Sequence, residues 1–263
     1  MLSFAIIVLG LIVGSFLNVV IYRLPKAIIK QYKYPSQYHS LNILKVISTP
    51  RSFAPCCKKQ LSWFENIPVL SWALLQGRCH YCKKPISFRY PLIEILTATF
   101  FYICFNKYGF SPETFLWVIF FSYLIALFFI DIDTFLLPDV LTISLSILGL
   151  TASCFEWIST PIESALLGLT LGYGLPWSVN KIYYVWRKQD GFGAGDFKLL
   201  AALGIWLGWE SVIPILFTSA VLAIIYALFL NLMGQKINLK TQLPYGPFLI
   251  TVSVLLFFSN IFY

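Results

Sequence analysis

Two groups of aspartates stand out in a chain that is otherwise strongly apolar. The first group, in the segment IDIDTFLLPD, consists of Asp131, Asp133 and Asp139. The second is Asp196, which ends the glycine-rich segment GFGAGD. A charged side chain near a bilayer costs several kcal/mol unless it faces water or a partner. Acids in this setting therefore favour a chemical function over simple solvation.

A pair of carboxylates can catalyse amide hydrolysis. Asp131 and Asp133 are two residues apart, so on a helix they point to nearly opposite sides and only one of them can pair with Asp196. Two close carboxylates hold one proton between them. The ionised member can activate a water molecule, and the protonated member can polarise the carbonyl and later protonate the leaving nitrogen. The alternative is that these aspartates only cap helices; their occurrence in two clusters, each beside a helix-breaking Pro or Gly, favours function.

The composition predicts an all-α polytopic membrane protein. Of the 263 residues, 59% are hydrophobic and 11% are charged, against roughly 25% charged in soluble domains. A spanning helix needs about 20 apolar residues. About eight transmembrane helices are predicted, or seven if 196–233 is a single helix, since only Trp209-Glu210-Ser211 marks its middle. The apolar windows are 2–22, 91–106, 113–130, 139–157, 162–184, 196–210, 211–233 and 246–263.

The basic residues predict the orientation. With eight helices and the N-terminus outside, 18 of the 19 Lys and Arg residues fall on one side and only Lys107 falls on the other. This agrees with the positive-inside rule and puts both aspartate clusters at the cytoplasmic face. The net charge of +8 reports this orientation and does not indicate nucleic acid binding. The segment 1–22 is expected to remain as the first transmembrane helix, because no basic residue precedes it.

Residues 23–90 form the one sizeable soluble segment, predicted to be a small cytoplasmic insert between the first and second transmembrane helices. It contains Cys56, Cys57, Cys79 and Cys82. In a reducing compartment these are thiols or metal ligands rather than disulfides. Cys79 and Cys82 have the spacing of a zinc knuckle, whereas adjacent Cys56 and Cys57 make a poor chelate. A metal site and a compact loop with four free thiols therefore both stay open.

Five segments, taken together, resemble the type IV prepilin peptidases, which are membrane aspartic proteases with a Gly-x-Gly-Asp signature. Gly-x-Gly-Asp alone is a weak signal, but five motifs in order and with the right spacing are specific. The segments are GLIVGSFLNVVIYRLP (10–25), ENIPVLSWALLQGRCHYCKKPISFRYPLIE (65–94), IDIDTFLLPDVLT (130–142), GAGDFKLLAALGIWLGW (193–209) and PYGPFL (244–249).

The resemblance implies which residues form the site. Asp131 and Asp196 match the catalytic pair, and the glycines before Asp196 would let substrate backbone or a bent helix entrance approach it. Lys198 matches a basic residue that is expected to hold charge near Asp196. The residues expected to support the site are Asp133, Asp139, Gly193, Gly195 and Lys198.

The resemblance also implies the reaction. Members of that family remove a short basic leader from pilin and pseudopilin precursors at the cytoplasmic face of the bacterial inner membrane. Many then N-methylate the new N-terminus with S-adenosylmethionine. The insert 23–90 matches this bifunctional type, and 91–263 would be the peptidase core. No glycine-rich strand–turn–helix motif indicates a nucleotide site, so methylation follows from the resemblance alone.

The sequence departs from the family pattern in one place. The pattern Cys-Pro-x-Cys is expected at 54–57, where the chain has Ala54, Pro55, Cys56 and Cys57. The second cysteine is kept and the first is replaced, which argues against a four-thiolate zinc site and leaves the aspartates unaffected.

Three other functions agree with some of these features. A transporter coupled to protons would favour acids at mid-helix depth and matched halves, but these acids lie at helix ends and no repeat is visible. A general Gly-x-Gly-Asp intramembrane protease is the nearest enzymatic alternative, and the insert argues against it. A pseudo-enzyme that only chaperones pilins stays open.

Overall fold

A computed structural model describes residues 2–34, 43–54, 56–234 and 243–262 of the chain. Within these ranges the regular structure is helical and contains no extended strand. Two isolated antiparallel bridges, Phe53–Gln60 and Arg78–Pro85, lie in the predicted insert. The predicted all-α class is therefore confirmed.

The helices follow the apolar windows of the sequence. Two short 3-10 helices, Trp63–Asn66 and Trp209–Ser211, accompany the α-helices. The α-helices of the described ranges are α1 (Leu2–Lys33), α2 (Ile43–Ser48), α3 (Leu70–Leu74), α4 (Arg89–Tyr108), α5 (Pro112–Thr134), α6 (Asp139–Cys154), α7 (Ile162–Arg187), α8 (Ala194–Leu207), α9 (Val212–Leu232) and α10 (Gly246–Phe262).

Each of the predicted windows overlaps one of the longer helices. The stretch 196–233 holds two helices, as expected, because Gly208 (φ +87°) ends α8 with a backbone conformation that favours glycine. The first helix differs from the prediction in length: it continues past residue 22 to Lys33. Part of the predicted insert is thus helical.

In the part of the chain that the structure describes, three helical segments are long and apolar enough to span a membrane: Leu2–Lys33, Pro112–Thr134 and Trp209–Leu232. Two shorter apolar helices are Asp139–Cys154 and Gly246–Ser259. These helices agree with a membrane protein, whereas the number of eight spans and the orientation stay predictions. Lys236 and Lys240, which entered the orientation argument, lie outside the described residues.

The chain divides into two compact units, Met1–Ala126 and Leu127–Tyr263. The cysteines of the insert lie in the first unit, and the aspartate clusters lie in the second. The predicted boundaries at 22 and 90 are not tested by this division and stay predictions.

In the second unit, α8 is buried along most of its length, because neighbouring backbones approach it closely. A Cβ on Gly168 of α7 would collide with the carbonyl oxygen of Gly204, and one on Gly172 would lie 2.7 Å from the Cα of Ala201. On the α6 side, the indole N–H of Trp206 donates a hydrogen bond to the Leu145 carbonyl at 2.9 Å. Small residues allow this close helix packing in membrane proteins, and it fixes the helix that begins beside Asp196.

Replacing Gly168 by alanine is expected to destabilise the protein by about 1–3 kcal/mol, the usual cost of overpacking. Gly174, in the same helix, has no heavy atom within 4 Å of the place a Cβ would occupy. Gly174→Ala is therefore the matched control, since it gains the same helix propensity without a collision. Thermal unfolding of the full chain in detergent measures both variants. Equal stability of the two would contradict the close approach of α7 and α8.

Candidate active site and cysteine cluster

The two aspartates at the end of α5 differ in their exposure to solvent. Asp131 is buried, with 4% of its surface exposed, and Asp133 is exposed. This is the arrangement that the two-residue spacing predicts for a helix. Asp131 is thus the member of the first cluster that faces the interior of the second unit.

The Asp131 carboxylate is held by the start of α10. Its Oδ2 accepts a hydrogen bond from the backbone N–H of Gly246 at 3.0 Å. Gly246 is the first residue of α10, and the first N–H groups of a helix have no partner within the helix. A Cβ on Gly246 would lie 2.7 Å from the same oxygen, so a side chain there would displace the carboxylate.

Gly246 was missed as a site residue by the sequence analysis, although its segment PYGPFL supported the resemblance. The sequence nevertheless contains an indication that Gly246 begins a helix. Pro247 follows Gly246 directly, and proline is favoured in the first turn of a helix. A helix start rich in glycine and proline offers an unpartnered N–H without a side chain to block it.

Asp196 lies half-buried in the first turn of α8. Gly193 and Gly195, the two glycines expected to support the site, lie close to neighbouring groups, so their small size matters as well as their flexibility. A Cβ on Gly193 would lie 3.1 Å from the Asp196 Oδ2, and a Cβ on Gly195 would lie 2.9 Å from the Cβ of buried Leu137. The glycine-rich segment therefore lets the helix entrance approach both the aspartate and its surroundings.

The two aspartates come together in the second unit. Asp131 lies near enough to Asp196 for their charges to interact. Tyr245, next to Gly246, is also within the electrostatic range of Asp196, and its ring makes an edge-on contact with Phe192 at 5.5 Å. The contact joins the segment before Asp196 to the segment that binds Asp131. The two carboxyl groups therefore lie in the same part of the second unit, within the range of electrostatic interaction.

Tyr245 is a second residue that the sequence analysis did not single out. Its hydroxyl lies 2.8 Å from the Ser219 Oγ and donates to the Leu216 carbonyl at 3.1 Å. These bonds anchor the start of α10 to α9. Nothing in the sequence pattern distinguishes Tyr245 from the other tyrosines of this aromatic chain.

Lys198 has a different partner from the one expected. Its Nζ forms an ion pair with the Asp139 Oδ1 at 2.7 Å, so its charge is directed to the start of α6 rather than to Asp196. Both side chains are partly exposed, and such pairs contribute about 0–1 kcal/mol. The pair links the first turns of α6 and α8.

In the first unit, the four cysteines of the insert lie together, contrary to the expectation that adjacent Cys56 and Cys57 are poorly placed. All four Sγ atoms lie within 4.8 Å of one another. The Cys56 and Cys82 sulfurs are 3.0 Å apart, and those of Cys57 and Cys79 are 3.9 Å apart. Zinc–sulfur bonds of about 2.3 Å in a tetrahedron place sulfurs about 3.8 Å apart. The Cys57–Cys79 distance matches this value and the Cys56–Cys82 distance is shorter. The four thiols together are a donor set that could hold a metal ion.

Two similar turns bring these cysteines together. In the first, the Lys58 N–H donates to the Ala54 carbonyl at 2.9 Å; in the second, the Lys83 N–H donates to the Cys79 carbonyl at 3.0 Å. Lys58 and Lys83 have φ of 58° and 57°. Ala54 thus occupies the position that Cys79 has in the other turn, and Cys56 supplies the missing thiol two residues later.

The thiol of Cys79 is prepared to lose its proton. Burial raises its pKa, but backbone hydrogen bonds from Cys82 and Tyr81, with contacts from the Cys56 and Cys82 thiols, lower the pKa to about 7. The Cys56 thiol shifts the other way, because its contact with the Cys82 thiol raises its pKa to about 12. Zinc binds thiolates, so Cys79 is the member of the cluster that gives up its proton most readily.

Two family models match the chain. Residues 8–108 match the Bacterial Peptidase A24 N-terminal domain, and residues 118–228 match the Type IV leader peptidase family. No solved structure matches the chain.

Curated relatives named Prepilin leader peptidase/N-methyltransferase match this chain over nearly their whole length. The relative from Xanthomonas campestris pv. campestris is 37% identical over 95% of this chain and 88% of its own. The relative from Neisseria gonorrhoeae is 36% identical over 96% and 89%. The one from Stutzerimonas stutzeri is 40% identical over 92% and 86%. The chain therefore belongs to the type IV leader peptidase family.

The contact between Gly246 and Asp131 can be tested by stability alone. Gly246→Ala is expected to destabilise the protein by about 1–3 kcal/mol, because its methyl group displaces the carboxylate. In an Asp131→Ala background the obstacle is gone, so the same substitution should cost at least about 0.5 kcal/mol less. Thermal unfolding of the four proteins gives this coupling. An equal cost in both backgrounds would contradict the contact.

Proposed function

We propose that this chain is a membrane aspartic endopeptidase that removes the leader peptide of type IV prepilins and pseudopilins and then N-methylates the new N-terminus. The convergence of Asp131 and Asp196 beside two glycine backbones is the observation that carries the peptidase assignment. The family membership, and the names of relatives that the chain covers almost completely, support both activities.

Asp131 and Asp196 are the proposed catalytic pair. Each carboxyl lies against the backbone of one glycine, Gly246 for Asp131 and Gly193 for Asp196. Because the two charges repel each other at close range, the pair holds one proton. In this chemistry the proton passes between the two carboxyl groups during a turnover.

The proposed reaction needs no further catalytic group. The ionised carboxylate removes a proton from a water molecule, whose oxygen attacks the scissile carbonyl, while the protonated carboxyl donates its proton to the carbonyl oxygen. The tetrahedral intermediate then collapses: the carboxyl that took the proton from water gives it to the leaving nitrogen, and the other carboxylate takes a proton from one hydroxyl of the intermediate as the carbonyl re-forms. The pair therefore ends the turnover with one proton, as it began. The chain's two histidines, His39 and His80, both precede the second unit in sequence, and His80 lies beside Glu65 within the first unit.

The residues that support the peptidase site hold its helices in place and do not themselves react. Gly193 and Gly195 leave room for the entrance of α8 beside Asp196 and Leu137. The ion pair between Asp139 and Lys198 holds the starts of α6 and α8 together. Exposed Asp133 lies on the other side of α5 from Asp131 and has no direct part in the proposed pair.

We further propose that the four-cysteine cluster binds zinc through Cys56, Cys57, Cys79 and Cys82. A closed four-thiolate set is typical of structural rather than catalytic zinc. The ion would connect the two similar turns of the insert and stabilise their fold. S-Adenosylmethionine, when bound, supplies the methyl group of the second activity.

The proposed setting is the bacterial inner membrane, with several helices in the lipid bilayer, the N-terminus outside and the peptidase site at the cytoplasmic face. The apolar helices and the family support a membrane enzyme, and the distribution of basic residues supports the orientation. The macromolecular partners are prepilin and pseudopilin precursors, and no nucleic acid is involved.

Asp131→Asn and Asp196→Asn are each expected to reduce leader removal by about 10²–10⁴-fold, because one member of the pair can no longer exchange its proton. Asp133→Asn is the matched control and should retain most activity. Mass measurement of a purified model prepilin after incubation detects the product. Normal cleavage by folded Asp196→Asn protein would contradict the mechanism.

The double variant Cys79→Ser/Cys82→Ser should lose bound zinc and weaken methylation while leader removal is largely kept. Elemental analysis of the purified protein measures zinc, and the product mass separates cleaved from cleaved and methylated pilin. Cys154→Ser, at the exposed end of α6, is the control. If the double variant contains no zinc and still methylates the pilin fully, these thiols have no part in methyl transfer.

A further inference from the structure

A cleft in the first unit lies between α1, the start of α4 and the insert. It has a volume of about 170 Å³, which is below the roughly 300 Å³ of the smaller ligand pockets. A ligand of coenzyme size would therefore be partly enclosed and partly exposed. The cleft is lined by Asn18 from α1, Glu65 and Trp72 from the insert and Glu94 from α4, among others.

Two buried carboxylates, Glu65 and Glu94, line the cleft, together with the basic side chains of Arg23 and His80. Glu65 and Glu94 are 8% and 7% exposed. Glu65 accepts hydrogen bonds from the Ser62 N–H at 2.7 Å and the Tyr81 hydroxyl at 3.1 Å, and its other oxygen lies 3.3 Å from the His80 Nδ1. Among the described residues, neither carboxylate forms a salt bridge with a lysine or an arginine.

Glu94 is oriented by an unusual backbone turn. Its Oε2 accepts a hydrogen bond from the Val69 N–H at 2.7 Å. Val69 has φ 59° and ψ −48°, and the Leu70 N–H donates to the Pro68 carbonyl, which makes Val69 the centre of a γ-turn with positive φ. This conformation is rare and strained, above all for a β-branched residue. Strained residues cluster at functional sites, and this one holds a carboxylate at the wall of the cleft.

The cleft also offers an aromatic surface, the ring of Trp72, and a neutral hydrogen-bond acceptor, the side chain of Asn18. The Trp72 indole N–H donates to the Ile86 carbonyl at 3.1 Å, which fixes the ring. The Asn18 amide nitrogen donates to the Gly14 and Tyr90 carbonyls, which leaves its oxygen as an acceptor. An aromatic face and an amide oxygen are suited to a purine ring and its amino group.

We propose that this cleft is the S-adenosylmethionine site, with Glu94 and Glu65 attracting the cationic sulfonium and ammonium groups and Trp72 and Asn18 receiving the adenine. The proposal rests on the methyltransferase part of the proposed function and names the cleft in which its methyl donor would bind. Buried Glu94 has no basic partner among the described residues, and this favours a cationic ligand, since the ligand then supplies the missing charge.

The reaction itself changes the charge that the cleft would recognise. In methyl transfer, the neutral N-terminal amine of the cleaved pilin attacks the methyl carbon. The sulfur keeps the electron pair of the broken bond, and the methylated amine releases a proton. The thioether product, S-adenosylhomocysteine, lacks the sulfonium charge, so it is a natural probe for the role of Glu94.

The test compares the affinities of both ligands for the full chain in detergent by isothermal titration calorimetry. Glu94→Gln keeps the shape and the acceptor oxygen for Val69 but removes the charge. It should weaken S-adenosylmethionine binding about 10- to 100-fold, as expected for losing an interaction with a charged group, and change S-adenosylhomocysteine binding much less. Glu113→Gln, in the first turn of α5 and away from the lining of the cleft, is the control and should change neither.

A second measurement uses the unmutated protein. Ultraviolet cross-linking of labelled S-adenosylmethionine, followed by peptide mapping, should label peptides from 15–23 or 61–94. Label confined to residues 127–263 would overturn the assignment, as would unchanged S-adenosylmethionine affinity of folded Glu94→Gln protein; the proposed function would survive both results. Weakened prepilin binding with unchanged S-adenosylmethionine affinity would assign the cleft to the basic leader instead. A wild-type protein that neither binds S-adenosylmethionine nor methylates would overturn the site and the methyltransferase function together.

Discussion

The hydrogen bond from the Gly246 N–H to the Asp131 carboxylate is the interaction on which the proposed peptidase site depends. It joins the end of α5 to the start of α10 across more than a hundred residues of sequence. A Cβ at 246 would lie 2.7 Å from the Asp131 Oδ2, so any side chain there would have to displace the carboxylate. On the other side, tight backbone packing by α7 fixes α8 and thereby the position of Asp196. Closely packed helices thus hold two carboxyl groups in one part of the unit, where ionisation of both at once is unfavourable.

Much of this arrangement follows from the sequence. The apolar windows predict the long helices, including the break between α8 and α9, and the two-residue spacing predicts that Asp131 and Asp133 face opposite ways. What the sequence could not give is the set of partners between distant segments. The contacts of Gly246, Tyr245 and Lys198 depend on how helices pack, and local pattern carries no information about that packing. Lys198 illustrates the point, since its neighbour in sequence is Asp196 but its ion-pair partner is Asp139.

The cysteine cluster is a second case in which chain spacing alone does not predict which residues come together. Adjacent Cys56 and Cys57 are unfavourable when only chain spacing is considered, yet the similarity of the two turns brings all four sulfurs together. Ala54 takes the place of one ligand and Cys56 replaces it from the same turn. The first unit therefore combines a metal-type cluster with a cleft that carries buried acids, whereas the second unit carries the aspartate pair. This division agrees with two chemistries on one chain, in which methyl transfer and peptide hydrolysis use separate residues.

The central claim is that Asp131 and Asp196 act as one acid–base pair on a tetrahedral intermediate. A prepilin peptide with a hydroxyl-bearing, non-cleavable replacement of the scissile amide imitates that intermediate. Its inhibition constant should be at least about 10²-fold lower than that of the same peptide with a methylene in place of the hydroxyl-bearing carbon, as transition-state analogues bind more tightly than ground-state ones. The advantage should disappear in both Asp131→Asn and Asp196→Asn proteins. Equal inhibition of the wild-type enzyme by the two peptides, or an advantage that survives either substitution, would contradict the account.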